Sequence, residues 1–222
     1  MEAILEQLFH SPKLALYSWQ IQSVLSDEQE KRGRFYEEIT ENQKAEFING
    51  EVIVHSPVRT EHNIAGKLLL KLLDTYVQIQ DLGFVGYEKM LISLTRNDYE
   101  PDVCFWKNEK ASEFTPGQMK FPAPDFIAEV LSPSTEKTDR TTKREDYAAH
   151  GVGEYWIIDP TAQFVEQYVL NKNTYRLRVK ADSGTLRCQV VSGFDIPLRA
   201  LFDEAENLDV LQGILQTPKG VK

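Results

Sequence analysis

The 222-residue sequence predicts an α/β fold: a mixed central sheet flanked by helices, with an antiparallel meander near the C-terminus. Three observations predict it. The stretch "AEFINGEVIVHSP" sets Asn49-Gly50 between two β-prone runs, the pattern of a two-residue hairpin. The region from Glu61 to Gln80 carries Ile64, Leu68, Leu69, Leu72, Leu73, Tyr76 and Val77 in one broad helical stripe. Short apolar runs, "DVCFW", "DFIAEVLS" and "EYWIIDP", then alternate with a single helical segment.

The elements follow in order. Residues before about 45 read as helical and polar, with Leu14, Tyr17, Ile21, Val24 and Leu25 at helical spacing. After the hairpin and the long helix, "FVGYEKMLISL" and "DVCFW" read as strands. Lys107 to Pro122 reads as a surface loop turning at Pro116-Gly117. "DFIAEVLS" is apolar on both faces except at Glu129, which suits a central strand. A helix starts near Thr138 and stops before Gly151, a natural C-terminal glycine. "QFVEQYVL", "TYRLRVK" and "LRCQVV" form the expected meander, and "FDIPLRALFDEAENL" ends in a short helix. The expected organisation is a helical extension over 1–35, a main domain over 36–205 and a tail over 206–222.

Composition narrows the function. The net charge of −9 disfavours broad, non-specific binding to phosphate backbones. The two cysteines, Cys104 and Cys188, lie far apart and form no zinc-binding pair; Cys104 reads as a small buried hydrophobe. "MEAILEQLFH" has no basic leader, and no apolar run approaches the ~20 residues of a membrane span, so a cytoplasmic protein without a membrane partner is expected. No GxGxxG after a strand, GxxxxGK[ST], HExxH or GxSxG occurs. Nothing marks His62 or His150 as a base held by an acid for Ser132, Ser134 or Thr135.

The chemistry concentrates in two Pro-Asp strands. Asp102 and Glu129 each stand beside or within a strand, and a charge inside an apolar strand demands a partner or a metal. Paired carboxylates suit a hard cation such as Mg²⁺. The plainer alternative pairs Glu129 with Arg140 or Arg144. Asp139, Lys143 and Tyr147 recur at four-residue steps, and if Tyr147 faces the core then Lys143 faces the sheet. An amine there could stabilise negative charge on a phosphate; the alternative is a lysine that snorkels to solvent. Lys137, Arg140, Lys143 and Arg144 form the pronounced basic cluster. Glu46 could be a third carboxylate or a plain strand residue, and His62 could cap its helix or meet substrate.

The ordered set "AEFINGEVIVHSP", "EHN", "EPDV", "PDFIAEVLSPST", Asp139…Lys143…Tyr147 and "GVGEYWIIDP" resembles the Uma-two family, named as restriction endonucleases and itself similar to the PD-(D/E)XK nuclease superfamily. The resemblance spans roughly Tyr36 to Phe202. It implies a restriction-endonuclease-like core and a metal-dependent endonuclease that hydrolyses DNA phosphodiester bonds. By the same resemblance Mg²⁺ or Mn²⁺ would be held by Asp102, Glu129 and the main-chain carbonyl of Val130. The superfamily's lysine would fall at Leu131, and Lys143 is the candidate for a migrated one. Asp125, also after proline, rivals Asp102; Glu46, His62 and Tyr147 are auxiliary candidates. A non-catalytic nucleic-acid-binding or protein-interaction module with the same fold is the alternative. DNA is the expected partner, with a homodimer whose shared basic groove offsets the acidic charge. Asp102, Glu129 and the Lys143 amine are expected to converge in one solvent-reachable cleft.

Overall fold

The structure is a computed structural model and describes residues 2–40, 42–218 and 220, so Lys219, Val221 and Lys222 of the expected tail lie outside the described residues. The chain divides into two compact units, Met1–His55 and Ser56–Lys222.

The first unit holds α1 (Glu2–Phe9), α2 (Leu14–Glu38), β1 (Ala45–Ile48) and β2 (Glu51–Val54). β1 and β2 pair antiparallel, with Ile48 opposite Glu51. Asn49 and Gly50 connect them at φ of 51° and 84°, the left-handed pair that a type I′ hairpin turn needs. A Cβ on Gly50 would stand 2.8 Å from Glu28 Cγ, so glycine also lets α2 approach the turn. Phe35 of α2 packs on Phe47 of β1, their ring centroids 5.8 Å apart. β1 is buried throughout, whereas β2 is exposed throughout.

The second unit opens with α3 (Thr60–Gln80), within one residue of its expected start. Leu68, Leu69, Leu72, Leu73 and Val77 are buried along its inner stripe. There follow β3 (Gly83–Tyr87), β4 (Leu91–Ser93), β5 (Asp98–Tyr99) and β6 (Val103–Lys107). The run read as one strand, "FVGYEKMLISL", is broken because Glu88 and Lys89 turn at φ of 38° and 48°. The expected loop after β6 contains a short α4 (Asn108–Ala111) and β7 (Lys120–Phe121), which pairs parallel with β4.

β8 (Phe126–Val130) comes next, then α5 (Glu136–Thr138), a π-helical turn (Asp139–Lys143) and α6 (Arg144–Ala149). β9 (Glu154–Asp159), β10 (Phe164–Asn171) and β11 (Thr174–Ala181) complete a six-stranded sheet of order β11-β10-β9-β8-β6-β3. β8 is central: it runs parallel to β9 and antiparallel to β6. "LRCQVV" does not extend the meander. Instead β12 (Thr185–Arg187) pairs with β13 (Asp195–Pro197) in a separate ribbon. A 3₁₀ turn (Leu198–Leu201) leads into α7 (Glu204–Leu215), longer than the expected short helix. Asp203 caps α7 by accepting from the Ala205 and Glu206 amides, and buried Asn207 donates to the carbonyls of Leu68 and Ala200.

Strand alternation gives this sheet two unlike faces. Val103, Phe105, Phe126, Ala128, Val130, Trp156 and Ile158 join α3 in the main core. The residues between them point to the other face, where Tyr155 meets Tyr147 of α6 with ring centroids 5.4 Å apart. Glu129 belongs to that second face.

Candidate active site

The antiparallel register sets Val103 opposite Ala128, and the next step places Asp102 opposite Glu129. Residues directly opposite in such a pair project to the same face, so the two acids become neighbours although 27 residues separate them. The Asp102 amide donates to Glu129 Oε2 at 3.4 Å, and the Val130 amide donates to Asp102 Oδ2 at 2.9 Å. Each acid is thus held partly by the other's strand.

Lys143 comes in from the helix that follows β8. Its Nζ donates to Glu129 Oε1 at 3.0 Å and lies 3.2 Å from Asp139 Oδ1. The Tyr147 hydroxyl donates to the same Glu129 Oε1 at 3.0 Å. The segment is not the uniform α-helix that four-residue spacing suggested: Asp139 to Lys143 widens into a π turn, a feature frequent at functional sites. The plain alternatives for Glu129 and Lys143 do not hold. Arg140 pairs with Glu136 at 2.9 Å and Glu166 at 2.7 Å, Arg144 lies over the Tyr168 ring, and Lys143 does not snorkel but is 2% exposed.

Asp102 and Glu129 are as enclosed, at 5% and 3% exposure. The expected open cleft is therefore a nearly sealed group in this state. The basic cluster is also smaller than its sequence suggests, because Arg140 and Lys143 are committed to carboxylates; Lys137 remains exposed.

The other candidates divide. His62, in the first turns of α3, places Nε2 3.2 Å from Asp102 Oδ2 and is buried. Asp125 stands at the opposite end of β8 from Glu129, where it accepts from the Lys107 amide at 2.9 Å and pairs with Lys110 at 3.0 Å. That explains its Pro-Asp context by structure. Glu46 is buried on β1 of the first unit with His55 Nε2 3.1 Å from its Oε2. Leu131, where the resemblance would put a lysine, is a buried hydrophobe.

The electrostatics around Glu129 are visible in its neighbours. Burial, followed by the Glu129 charge, pushes the Cys104 thiol well above its ordinary pKa. Burial, then Asp139 and Glu129, does the same to the Tyr155 phenol, which donates to the Asp139 carbonyl at 3.1 Å. Asp139, which shares its four-residue spacing with Lys143 and Tyr147, thus belongs to the group, and that pattern was its signal in the sequence. The acid beside His150 was not foreseen from the sequence. Asp146 Oδ1 lies 3.0 Å from His150 Nδ1, and Thr95 Oγ1 lies 2.9 Å from Nε2. The Thr95 amide also donates to that nitrogen, so the ring fastens the turn between β4 and β5.

Among the described residues no group of three or more His, Cys, Asp and Glu is arranged to hold a metal, and no helix is long and apolar enough to cross a membrane. Two adjacent carboxylates beside a strand end do fit a hard cation that takes its remaining ligands from main-chain oxygen, water and phosphate. They do not fit a softer ion that needs His or Cys.

Residues 34–199 match the family model Uma2, described as "Putative restriction endonuclease". The structure is similar to the crystal structure of a "putative nuclease belonging to DUF820" from Anabaena variabilis ATCC 29413, with a TM-score of 0.66 and 19% identity. That likeness covers 78% of this chain and 96% of the other. No curated protein matches.

Proposed function

Because the chain belongs to the Uma2 family, we propose that it is an endonuclease that hydrolyses DNA phosphodiester bonds with Mg²⁺ or Mn²⁺, on a site of the PD-(D/E)XK kind. The observation that carries this reading is the pairing of Asp102 with Glu129 across β6 and β8, with the Lys143 amine 3.0 Å from Glu129. Asp102, Glu129 and the carbonyl of Val130 are the residues that would hold the cation. When bound, it supplies positive charge to the scissile phosphate and acidifies a water.

The chain's own groups do the rest. Lys143 pairs with Glu129 and offers a second positive charge toward the phosphate. Tyr147 fixes the Glu129 rotamer through its hydroxyl. His62 and the Val130 amide orient Asp102. Lys143 takes the part played by the lysine that Leu131 displaces, reaching Glu129 from the π turn instead of from the strand.

The test is nicking of supercoiled plasmid DNA with Mg²⁺ or Mn²⁺. Native protein is expected to cleave only with the cation, and Asp102→Ala and Glu129→Ala are expected to be inactive. Undiminished cleavage by either variant would place the chemistry elsewhere. A native protein that binds duplex and never cuts it would be the non-catalytic binding module.

A further inference from the structure

We propose that α1 and the first half of α2 form the surface through which two copies of this chain associate. At 25 residues α2 runs about 37 Å, whereas each hairpin strand has four residues and spans about 13 Å. The helix therefore outruns what it covers. Among its described residues only Glu28 and Phe35 are buried, the first against Gly50 and the second against Phe47.

The buried face does not stop at Glu28. Ile21 and Leu14 continue the seven-residue step that links Phe35 to Glu28, and Tyr17 and Val24 fill the positions between. That is the seam of a two-helix coiled coil. Here it is left in water: Tyr17, Ile21 and Val24 are 37%, 50% and 52% exposed. Ile4 and Phe9 of α1 are as open, at 72% and 63%. Together these side chains expose on the order of 500 Å² of mostly apolar surface, toward the upper end of what a typical monomer leaves open.

Charge identifies the occupant. Residues 14–25, "LALYSWQIQSVL", carry no charge, whereas Asp27 to Glu38 is dense in both signs. Copies of a chain with a net charge of −9 repel one another, and an uncharged, self-complementary stripe is where two can meet without that penalty. A lipid surface fits poorly, because Lys13 is the single Lys or Arg before residue 31 and membrane-surface helices carry a basic face.

The experiment is sedimentation velocity on the full chain across about 1–100 µM, where mass action makes association visible. The native chain is expected at twice its monomer mass. The Tyr17→Glu/Ile21→Glu double variant is expected to dissociate about 100-fold more readily or worse, as loss of two central anchors implies. Ile21→Cys tests the same contact without a charge. Ile21 sits near the middle of the stripe, so its copy is within reach in a parallel or an antiparallel pairing. Oxidation is expected to give a disulfide-linked dimer, since Cys104 and Cys188 are buried. A native monomer at the top of that range would overturn the proposal. So would a double variant that dimerises as tightly as the native chain, a dimer that Ile21→Cys does not cross-link, or a monomer that instead floats with anionic lipid vesicles.

Discussion

Two buried glutamates on adjacent strands are satisfied in different ways. Glu154 on β9 is fully enclosed and meets neutral donors. Its Oε1 accepts from Trp156 Nε1 and Gln167 Nε2, each at 2.6 Å. Its Oε2 accepts from the amides of Gln189 and Val190 at 2.6 and 3.1 Å, and from Cys188 Sγ at 3.4 Å. Those donors come from β9, β10 and the segment after β12, so the carboxylate ties three parts of the chain together. Glu129 on β8 is as buried, yet it gathers a cation, a phenol and the backbone of a second acid. Glu154 is saturated by neutral donors. Glu129 instead keeps another carboxylate beside it, with the Lys143 amine to make that tolerable.

This difference should appear most strongly in stability. Glu154→Ala removes the acceptor shared by five donors, some of them fully buried, at a cost on the order of 4 kcal/mol. Urea unfolding should show a lower midpoint at an unchanged slope. Glu129→Gln should stay within about 1 kcal/mol of native, because the lost ion pair is offset by relief beside Asp102 and Lys143 keeps Asp139. If the two variants were equally damaging, the distinction between anchor and site would fail.

The next effect is on activity. Lys143→Met should lower plasmid cleavage by about 100-fold or more. The same change should tighten Mn²⁺ binding, because the amine competes with the cation for Glu129. Weaker Mn²⁺ binding in Lys143→Met would mean that the lysine is needed to build the acid pair and not to act beside it.

A third buried carboxylate, Glu166 on β10, is met by cations and a phenol. Burial raises the Glu166 pKa, but hydrogen bonds from Lys180 and Tyr168 and the charge of Arg140 more than offset it, so the group sits below its ordinary 4.5. A depressed carboxylate contributes stability that is fully present above its unfolded value and is lost as pH falls through its folded one. Glu166→Gln should therefore be less stable than native at pH 7, and the gap should close below about pH 4.5. A gap that persists to pH 2 would trace the effect to packing.

The smallest effect is chemical. Burial, then the adjacent glutamate, raises both thiols: Cys104 beside Glu129 and Cys188 beside Glu154. Both should resist a disulfide reagent at pH 8 in the native fold. Glu154→Ala should make Cys188 react first, since its thiol donates to that carboxylate; faster labelling of Cys104 would contradict the anchor role.

Much of this arrangement was legible in local sequence. The hairpin at Asn49-Gly50, the α3 stripe and the central position of β8 depend on neighbours in the chain, so short patterns reveal them. The Asp102–Glu129 pairing needed only that two adjacent strands pair, and Lys143 followed from its spacing to Tyr147. What was hidden depends on long-range contacts. Arg140 turns to Glu166 on a distant strand, leaving Glu129 to Lys143. Asp102 meets His62 because the start of α3 reaches that end of the sheet. Glu154 looked like an ordinary strand residue because its donors lie up to 36 residues away. The π turn left no trace because four-residue spacing still placed Lys143 correctly.

The most direct test of the central claim is calorimetric titration of Mn²⁺ into native protein, Asp102→Asn, Glu129→Gln and Lys143→Met. Native protein and Lys143→Met should bind the ion, while Asp102→Asn and Glu129→Gln should lose it and still unfold cooperatively near the native midpoint. Equal binding by native protein and Glu129→Gln, or no binding by native protein even with DNA duplex present, would contradict the assignment of this buried pair as a metal-dependent catalytic centre.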